Sequence, residues 1–520
     1  MVEHVVKVEK KSGELPREQQ LAWKIAEIAA KAKDVEIDPD VQAMVINRII
    51  DNAAIAMAAI NEQAVLVARD KALQTEGVGG ATVYGVDNKK SFGSKEAAFA
   101  NAVAVRFLDQ DDTYLAAEYS HPDDNISPLL AVAQHMGLSG KDLIRGIVTA
   151  YEVHVSLVGT GKGTGICLHK HKVDHMTHIA AGTAAGIGAM LNLSTEQIYH
   201  AVNFAVHNAV SSRQSRKGMI GSQKEFVPGF SAEIAIDAVN AAMHGLVGPN
   251  PVYEGVDSII AQFLDGKDAQ YKVDLIAPGE KMRRILLTYP KEHSFEYQGQ
   301  AVIDLALEMR KQVLDKGGIS EVASIELQTS HHTHHVIGTD ANDPQKSDLE
   351  SSRGTLDHSI MFAIARTLET GEWHHERSYQ GLVGNQPLQD LLLKVRTSFD
   401  QRWEDMYHDQ DPAKQAFGGK MVITFKDGTK IEAEKERANA HSFGSSPWQR
   451  PQYVRKLTDL TTGVVSEAER TRFLKDVEAL PELDGVRLRG LTTKADVVKL
   501  KALETTGIYS GGQRLGQRKD

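Results

Sequence analysis

Apolar residues recur at intervals of three and four along the first half of the chain. One such pattern follows Asp38-Pro39-Asp40 from Val41 to Ala56, and a second runs from Ser94 to Leu108. Proline at the first helical position and carboxylates beside it favour a helix N-terminus, because proline has no N–H that needs a partner and negative charge is stabilised there. The spacing therefore predicts two amphipathic helices that begin at these points.

Serine caps predict two more helices. Ser139 stands three residues before Asp142, and Ser194 stands three residues before Gln197. In each case the later side chain can reach back to the backbone amide of the serine. Apolar residues follow each cap at helical spacing, and small residues dominate positions 180–189. These features favour an antiparallel helical bundle in which one buried helix approaches its neighbours closely.

The pattern changes near residue 280. Residues 322–327 form a short, partly β-branched run, and residues 421–425 and 429–431 flank an Asp-Gly pair that is typical of a hairpin turn. Helical spacing returns at 360–368 and in the charged tail at 467–503. We therefore predict a mainly α fold, with a large all-helical domain at 1–280, an inserted smaller α+β domain at 281–440, and a C-terminal segment at 441–520 that returns to the helical domain.

Composition argues against several classes of protein. The formal net charge of −10 disfavours a nucleic-acid partner, because phosphate neutralisation needs a basic face. No apolar run approaches the ~20 residues that span a bilayer, and the charged first residues lack the apolar stretch of a signal peptide. We therefore expect a cytoplasmic protein that binds neither membrane nor nucleic acid. Cys167 is the only cysteine, so one chain cannot hold an internal disulfide, a Cys-ligated iron–sulfur cluster or a Cys-rich zinc site.

The densest group of titratable side chains lies between residues 109 and 125. It contains Asp109-Gln110-Asp111-Asp112-Thr113 and, after a spacer, His121-Pro122-Asp123-Asp124-Asn125. Composition alone favours a solvated acidic loop after an apolar helix. The carboxylates would also suit a divalent metal, but their spacing is not that of an EF-hand, and we predict no metal.

This segment resembles the signature of the MmgE/PrpD family, Asp-x-x-Asp-Thr, a Leu-Ala-Ala-Glu spacer and His-Pro-x-Asp-Asn. Four further segments resemble motifs of that family in the same order: Val-Asp-His at 173–175, Ser-Arg-Gln-Ser-Arg at 212–216 with Ser-Gln-Lys at 222–224, Tyr-Pro-Lys-Glu-His-Ser at 289–294 and Leu-Asp-His-Ser-Ile at 356–360. The resemblance implies a homodimeric hydro-lyase that dehydrates 2-methylcitrate to 2-methyl-aconitate in the methylcitrate cycle of propionate catabolism. It implies no cofactor.

Carried over position by position, the resemblance implies an active site lined by Asp109, Thr113, His121, His175, Lys224 and His293. Dehydration of a citrate-like acid needs a base beside a carboxylate, cations for the charge that builds there, and an acid for the departing hydroxyl. We assign catalysis to Asp109, His121, His175 and Lys224, and substrate binding to Thr113, Arg213, Arg216 and His293. The two arginines suit bidentate carboxylate binding. Which histidine is base and which is acid stays open.

The segment at 289–298 departs from the family pattern. Family members often carry a basic residue where this chain has Leu286 and Leu287, and the run at 292–298 is expanded. Three residues therefore stay candidates for the one that faces the substrate: Lys291, His293 and Tyr297.

Other functions fit parts of the sequence. Decarboxylation of cis-aconitate needs a similar set of His, Asp and Lys residues, and citrate or aconitate are alternative substrates for a dehydratase. A metal-dependent hydrolase would use the aspartates and the histidine tract at 331–335, which we instead predict to be a polar loop near the cleft. A non-catalytic tricarboxylate sensor is a further alternative. For a dehydratase we expect His175→Gln and Lys224→Ala each to lower turnover by at least ~10²-fold with folding intact.

Overall fold

Helices dominate the structure, as the apolar spacing predicts. The computed structural model describes residues 2–11, 15–161 and 163–509. The helices of the first part are α1 (Leu21–Lys31), α2 (Pro39–Ala58), α3 (Gln63–Leu73), α4 (Ser94–Arg106), α5 (Ile126–Met136), α6 (Gly140–Val158), α7 (Met176–Met190), α8 (Thr195–Asn208), α9 (Gln223–Met243) and α10 (Ile259–Phe263). The predicted starts of α2 and α4 are confirmed, although α4 ends at Arg106 and not at Leu108.

Short strands lie among these helices: β1 (Val2–Lys7), β2 (Tyr114–Leu115), β3 (Tyr119–Ser120) and β4 (Gln270–Leu275). β1 pairs with β4 and β2 pairs with β3, both antiparallel. The β1–β4 pair ties the first residues of the chain to the end of the helical part, a contact that the sequence did not predict.

Both serine caps form as predicted. The Ser139 hydroxyl accepts a hydrogen bond from the Asp142 amide at 3.2 Å, and the Asp142 carboxylate accepts one from the Ser139 amide at 3.1 Å. Ser194 and Gln197 repeat the arrangement at 3.2 and 3.1 Å. The predicted close approach of small residues also occurs. The backbones of α6 and α7 lie so near each other at Gly186 that a Cβ atom there would be only 2.7 Å from the carbonyl oxygen of Gly146.

An α+β unit follows. Its helices are α11 (Gln300–Asp315), α12 (His331–Val336), α13 (Arg353–Leu356), α14 (Ile360–Thr370), α15 (Gln386–Leu392) and α16 (Gln401–Tyr407), and its strands are β5 (Val322–Thr329), β6 (Val395–Phe399), β7 (Gly419–Phe425) and β8 (Lys430–Lys435). The strands form one sheet in the order β6-β5-β7-β8. β5 runs parallel to β6, whereas β7 and β8 form the predicted antiparallel hairpin. Gly428 closes its turn with φ of 84°, a conformation that glycine adopts without steric cost.

Two hydrophobic cores organise the molecule. The larger core joins α1–α10 to Met282 and Ile285 and to C-terminal residues from Ala440 to Ala495. The smaller core extends from Phe295 to Phe425 and packs α11 and α14 against the sheet. A third apolar cluster contains residues from both sides of the boundary: Tyr114, Leu115, Val155, Val158, Tyr289, Tyr297, Tyr407 and Phe417. We propose on the basis of these cores that the domains divide near residues 280 and 440.

Two local predictions are wrong. The tail forms α17 (Arg450–Thr461) and α18 (Glu467–Glu478), but the described residues beyond Glu478 contain short 3₁₀ turns where we predicted helix to residue 503. The histidine tract forms α12 and not a loop, because Ser330 caps it by accepting a hydrogen bond from the Thr333 amide at 3.2 Å. Residues 510–520 of the predicted C-terminal segment lie outside the described residues.

Among residues 2–11, 15–161 and 163–509, no single helix is long and apolar enough to cross a membrane. α2 and α3 reach the required length and apolarity only together, across a bend of 105°.

Candidate active site

The acidic segment at 109–125 is buried. Its carboxylates are all between 0% and 2% exposed: Asp109, Asp111, Asp112, Glu118, Asp123 and Asp124. The interpretation as a solvated loop is therefore wrong. A buried charge costs several kcal/mol unless it is paired and hydrogen-bonded, so these carboxylates need cationic or donor partners from elsewhere in the fold.

Asp109 is held by three cations. Its carboxylate lies 3.1 Å from the guanidinium of Arg106, 3.0 Å from the ammonium of Lys224 and 2.5 Å from that of Lys291. Burial alone would raise the pKa of Asp109, but these cations hold it well below its usual value. Asp109 also has φ of 50°, a left-handed conformation that is uncommon for a residue other than glycine. The carboxylate is therefore a fixed negative centre around which the cations are ordered.

Lys291 reaches Asp109 because two loops pair. The amide of Thr113 donates to the carbonyl of Tyr289 at 3.1 Å, and the amide of Tyr289 donates back at 2.8 Å. This bridge brings the segment after α4 beside the segment that leads into the α+β unit. The Lys291 ammonium then donates to both the carboxylate and the carbonyl of Asp109, the latter at 2.9 Å.

A second carboxylate shares Lys224. This lysine follows the first residue of α9, and its ammonium donates to Asp357 at 3.0 and 3.1 Å. Asp357 in turn lies 2.5 Å from Nδ1 of His358, whose Nε2 is 3.4 Å from the Asp109 carboxylate. Burial and Lys224 lower the pKa of His358 to about 4, so the imidazole is neutral near pH 7. The Nδ1 hydrogen therefore points to Asp357, and the Nε2 lone pair faces the network.

His121 is a neutral imidazole of defined tautomer. Its Nε2 lies 3.1 Å from Nη2 of Arg106, and since a guanidinium can only donate, Nε2 accepts. Its Nδ1 carries the hydrogen and donates to the Asp112 carbonyl at 2.8 Å, with the Thr113 hydroxyl 3.2 Å away. Burial and Arg106 hold the pKa of His121 well below its usual value.

His175 has the same tautomer for the same reason. It stands at the N-cap position of α7, and its Nε2 accepts from Nη2 of Arg216 at 3.2 Å, while Nε of Arg216 donates to Asp174 at 2.7 Å. Burial and Arg216 hold the pKa of His175 well below its usual value. Its Nδ1 is buried and has no hydrogen-bond partner among the described residues. The rings of His121 and His175 are 5.6 Å apart and nearly perpendicular.

The structure thus joins most of the residues that the sequence selects. The ring of His175 contacts that of His121, and His121 contacts Arg106, which pairs with Asp109 and through it with Lys224. Thr113 contacts His121, and Arg216 contacts His175. Arg213 lies apart, with its guanidinium 4.9 Å from the ring centre of Tyr119. His293 also lies apart, because its Nε2 is 2.9 Å from Asp304 and its amide donates to Gln300. The sequence left Lys291, His293 and Tyr297 open, and Lys291 is the one that contacts Asp109.

Sequence reasoning missed Arg106, Asp357 and His358 as members of this network. The Leu-Asp-His-Ser-Ile motif drew attention to two of them without indicating a role. Arg106 gave no signal, since an arginine at the end of an amphipathic helix is usually a solvated residue. Only its burial, at 1% exposure, distinguishes it.

Further buried side chains, from α2 and α6, contact these carboxylates. Arg48 of α2 lies 3.1 Å from Asp112, and the hydroxyl of Tyr151 of α6 donates to Asp112 and Asp123 at 3.0 and 3.2 Å. Burial raises the pKa of Asp111 to about 6, against the opposing effect of Arg106. These contacts fix the loop that carries Asp109 and His121 against two helices of the larger core.

Two groups of side chains in the network have the geometry of metal ligands, namely Asp109 with Asp111 and His121, and Asp109 with Asp357 and His358. Both include Asp109, whose oxygens already contact Lys224 and Lys291. A divalent cation would have to displace these ammonium groups and overcome their repulsion. A metal-free site therefore stays our prediction, to be checked by chelation.

Fold and site together define a class: a two-part, mainly helical protein with a buried array of carboxylates, lysines and neutral histidines beside the segment that joins the parts. The family comparison agrees. A model of the MmgE/PrpD N-terminal domain matches residues 19–272, and one of the MmgE/PrpD C-terminal domain matches residues 293–480. The chain belongs to the MmgE/PrpD family.

Several curated relatives are similar to the chain at 25% identity or less. A probable 2-methylcitrate dehydratase of Saccharomyces cerevisiae is 25% identical over 353 residues, which cover 64% of this chain and 65% of the relative. The protein named mitochondrial 2-methylcitrate dehydratase of Yarrowia lipolytica is 25% identical over 64% of each chain. The 2-methylcitrate dehydratase of Escherichia coli (strain K12) is 22% identical over 65% of this chain and 69% of its own. The match thus covers just under two thirds of each of the two fungal relatives.

Proposed function

We propose that the chain is a hydro-lyase that converts 2-methylcitrate to 2-methyl-aconitate in propionate catabolism. The observation that supports this most is the buried contact network around Asp109, where two lysines and an arginine lie beside two neutral histidines in ring contact. The names of the relatives supply the substrate, and the network supplies groups of the kinds that the reaction needs.

The lysines and Arg106 are the charge-stabilising groups in this proposal. Removal of a proton beside a carboxylate puts negative charge on that carboxylate, and fixed cations in a site that excludes water stabilise it strongly. The Asp109 carboxylate contacts the ammonium groups of both Lys224 and Lys291, which keeps these two groups in position before the substrate binds. A substrate carboxylate placed beside them then needs no reorganisation of the site.

The two histidines are the proton-transfer groups. Arg106 and Arg216 now oppose their protonation, but an incoming tricarboxylate pairs with these arginines and brings negative charge, which raises the pKa values of His121 and His175. One imidazole then removes the proton from carbon and becomes an imidazolium, and the C–O bond breaks as the departing hydroxyl takes up a proton and leaves as water. When the proton that the hydroxyl takes up is the one held by this imidazolium, passed on directly or through the second histidine, both imidazoles return to the neutral state.

A direct assay tests the reaction. Purified protein is incubated with 2-methylcitrate, citrate and cis-aconitate in parallel, with ultraviolet absorbance following formation of the enoate and a trap collecting CO₂. Enoate formation from 2-methylcitrate, abolished in His175→Gln, is the expected result. Release of CO₂ from cis-aconitate without dehydration would replace the proposal with decarboxylation, and binding without turnover would replace it with a sensor.

We also propose a cytoplasmic homodimer. The family resemblance supports this, although the name of the Yarrowia relative places that protein in mitochondria. Light scattering coupled to size-exclusion chromatography measures the mass of the particle against 56.9 kDa for one chain. Fractionation of the native cells tests the location.

A further inference from the structure

A cavity of about 420 Å³ lies beside His175, between the turn Arg213–Arg216 and helix α12 of the α+β unit. Its wall includes Tyr119, His169, Lys172, Arg213, Arg216 and His332. Arg216 connects the cavity to the proposed active site, because the same guanidinium contacts Nε2 of His175 at 3.2 Å. A ligand in this cavity would therefore be close to the proton-transfer residues.

Most cations of the cavity wall already have a carboxylate partner. Arg216 lies 2.7 Å from Asp174, Lys217 lies 3.2 Å from Asp343, and His169 lies 3.1 Å from Glu118. Arg213 differs from them. Its guanidinium packs over Tyr119, and its Nη1 atom is buried with no hydrogen-bond partner among the described residues. A buried guanidinium N–H without an acceptor is unfavourable, because its lost hydration is not replaced, so the position favours a bound anion.

His332 presents a second buried atom of this kind. Its Nε2 has no hydrogen-bond partner among the described residues. The ring is held in place by aromatic contacts, with centroids 5.0 Å from Tyr119, 5.1 Å from His169 and 5.3 Å from Tyr407. Both Arg213 and His332 thus adjoin Tyr119, one on the helical part and the other on the α+β unit.

We propose that Arg213 and His332 form a subsite for the substrate carboxylate that lies farthest from the reacting carbon. This inference rests on the proposed function for the identity of the ligand. Arg213 supplies the charge and His332 supplies an N–H, so the carboxylate is bound from both parts of the fold. The subsite makes recognition of a third carboxylate depend on α12, the histidine tract that the sequence placed near the cleft without giving it a role.

Binding of an unreactive tricarboxylate tests the subsite without requiring turnover. Propane-1,2,3-tricarboxylate has no hydroxyl to eliminate, and its Kd is measured by calorimetry with the full chain. Arg213→Met and His332→Phe each remove the polar group and keep the bulk, and each should raise the Kd by about tenfold or more, as loss of a charge-assisted hydrogen bond implies. Arg213→Lys should weaken binding less, because it keeps the charge. Thermal melting confirms that each variant is folded.

His334→Ala is the matched control. His334 lies on the same helix, but its Nδ1 faces Thr397 Oγ1 at 2.6 Å and it does not line the cavity. It should leave the Kd within about twofold of wild type. Unchanged binding in folded Arg213→Met and His332→Phe, or no binding by the wild type, overturns the subsite. If the wild type binds the tricarboxylate but does not dehydrate 2-methylcitrate, the proposed function fails while the subsite is still decided by the variants.

Discussion

Lys224→Met separates the structural role of the buried network from its chemical role. The Lys224 side chain is 0% exposed, and its ammonium lies within 3.1 Å of two carboxylates. Methionine keeps the length of the side chain but leaves Asp109 and Asp357 without a shared cation. Loss of one partner of a buried ion pair costs about 3–5 kcal/mol. We expect the lower end, since Arg106 and Lys291 still hold Asp109.

This magnitude changes an expectation drawn from the sequence. Substitution of Lys224 should lower turnover by about 10²-fold or more, as loss of one charge-stabilising group does, but it should not leave stability intact. The double variant Lys224→Met with Asp357→Asn also removes the Asp357 carboxylate, the one that loses its lysine partner while Asp109 keeps Arg106 and Lys291. It should regain roughly 1–2 kcal/mol of stability, the cost of an unpaired buried polar group, without regaining activity.

Urea unfolding followed by circular dichroism gives the stability of wild type, single and double variants at pH 7.5. Initial rates with 2-methylcitrate are divided by the folded fraction at the assay temperature, so that unfolding does not count as lost catalysis. A single variant that unfolds like wild type would refute the argument from burial. Wild-type turnover per folded molecule would refute the charge-stabilising role of Lys224.

Four further predictions follow from the site and the fold. His175→Gln should lower kcat by about 10²-fold or more with a melting temperature near that of wild type, and wild-type kcat would remove His175 from the mechanism. Burial and Lys224 lower the pKa of His358 from 6.5 to about 4. Within this pH window the unfolded chain binds a proton at His358 more readily than the folded chain does, so the free energy of unfolding falls as the pH drops. Urea titrations across the window should show that His358→Gln loses up to about 3 kcal/mol less stability than wild type, and equal losses would contradict a neutral buried imidazole. Exhaustive treatment with EDTA should leave the rate unchanged, whereas a loss that added divalent cation restores would establish a metal site. Ser139→Ala should lower stability by about 1 kcal/mol through loss of the α6 cap and leave the rate per folded molecule unaltered, and a changed rate would connect this cap to the site.

Local sequence patterns located several elements well. The start of α2 at Pro39 and the caps at Ser139 and Ser194 depend on contacts within one helical turn, so residue types and spacing suffice to place them. The β7–β8 hairpin is similar, because an Asp-Gly turn fixes it locally. The end of α18 at Glu478 was placed too late, although Pro481 three residues beyond it is a local signal for the end of a helix.

The site depended on the fold. The sequence by itself determined which residue types are present in which order, and its single cysteine excluded a Cys-ligated iron–sulfur cluster held within one chain. It did not determine that Asp109 is buried, that Lys291 rather than His293 contacts it, or that His332 of the tract adjoins Arg213. Those facts depend on side chains far apart in sequence that only the packing of the two cores brings together. Burial and long-range charge also set the pKa values and tautomers of His121 and His175, and neither quantity can be derived from local spacing.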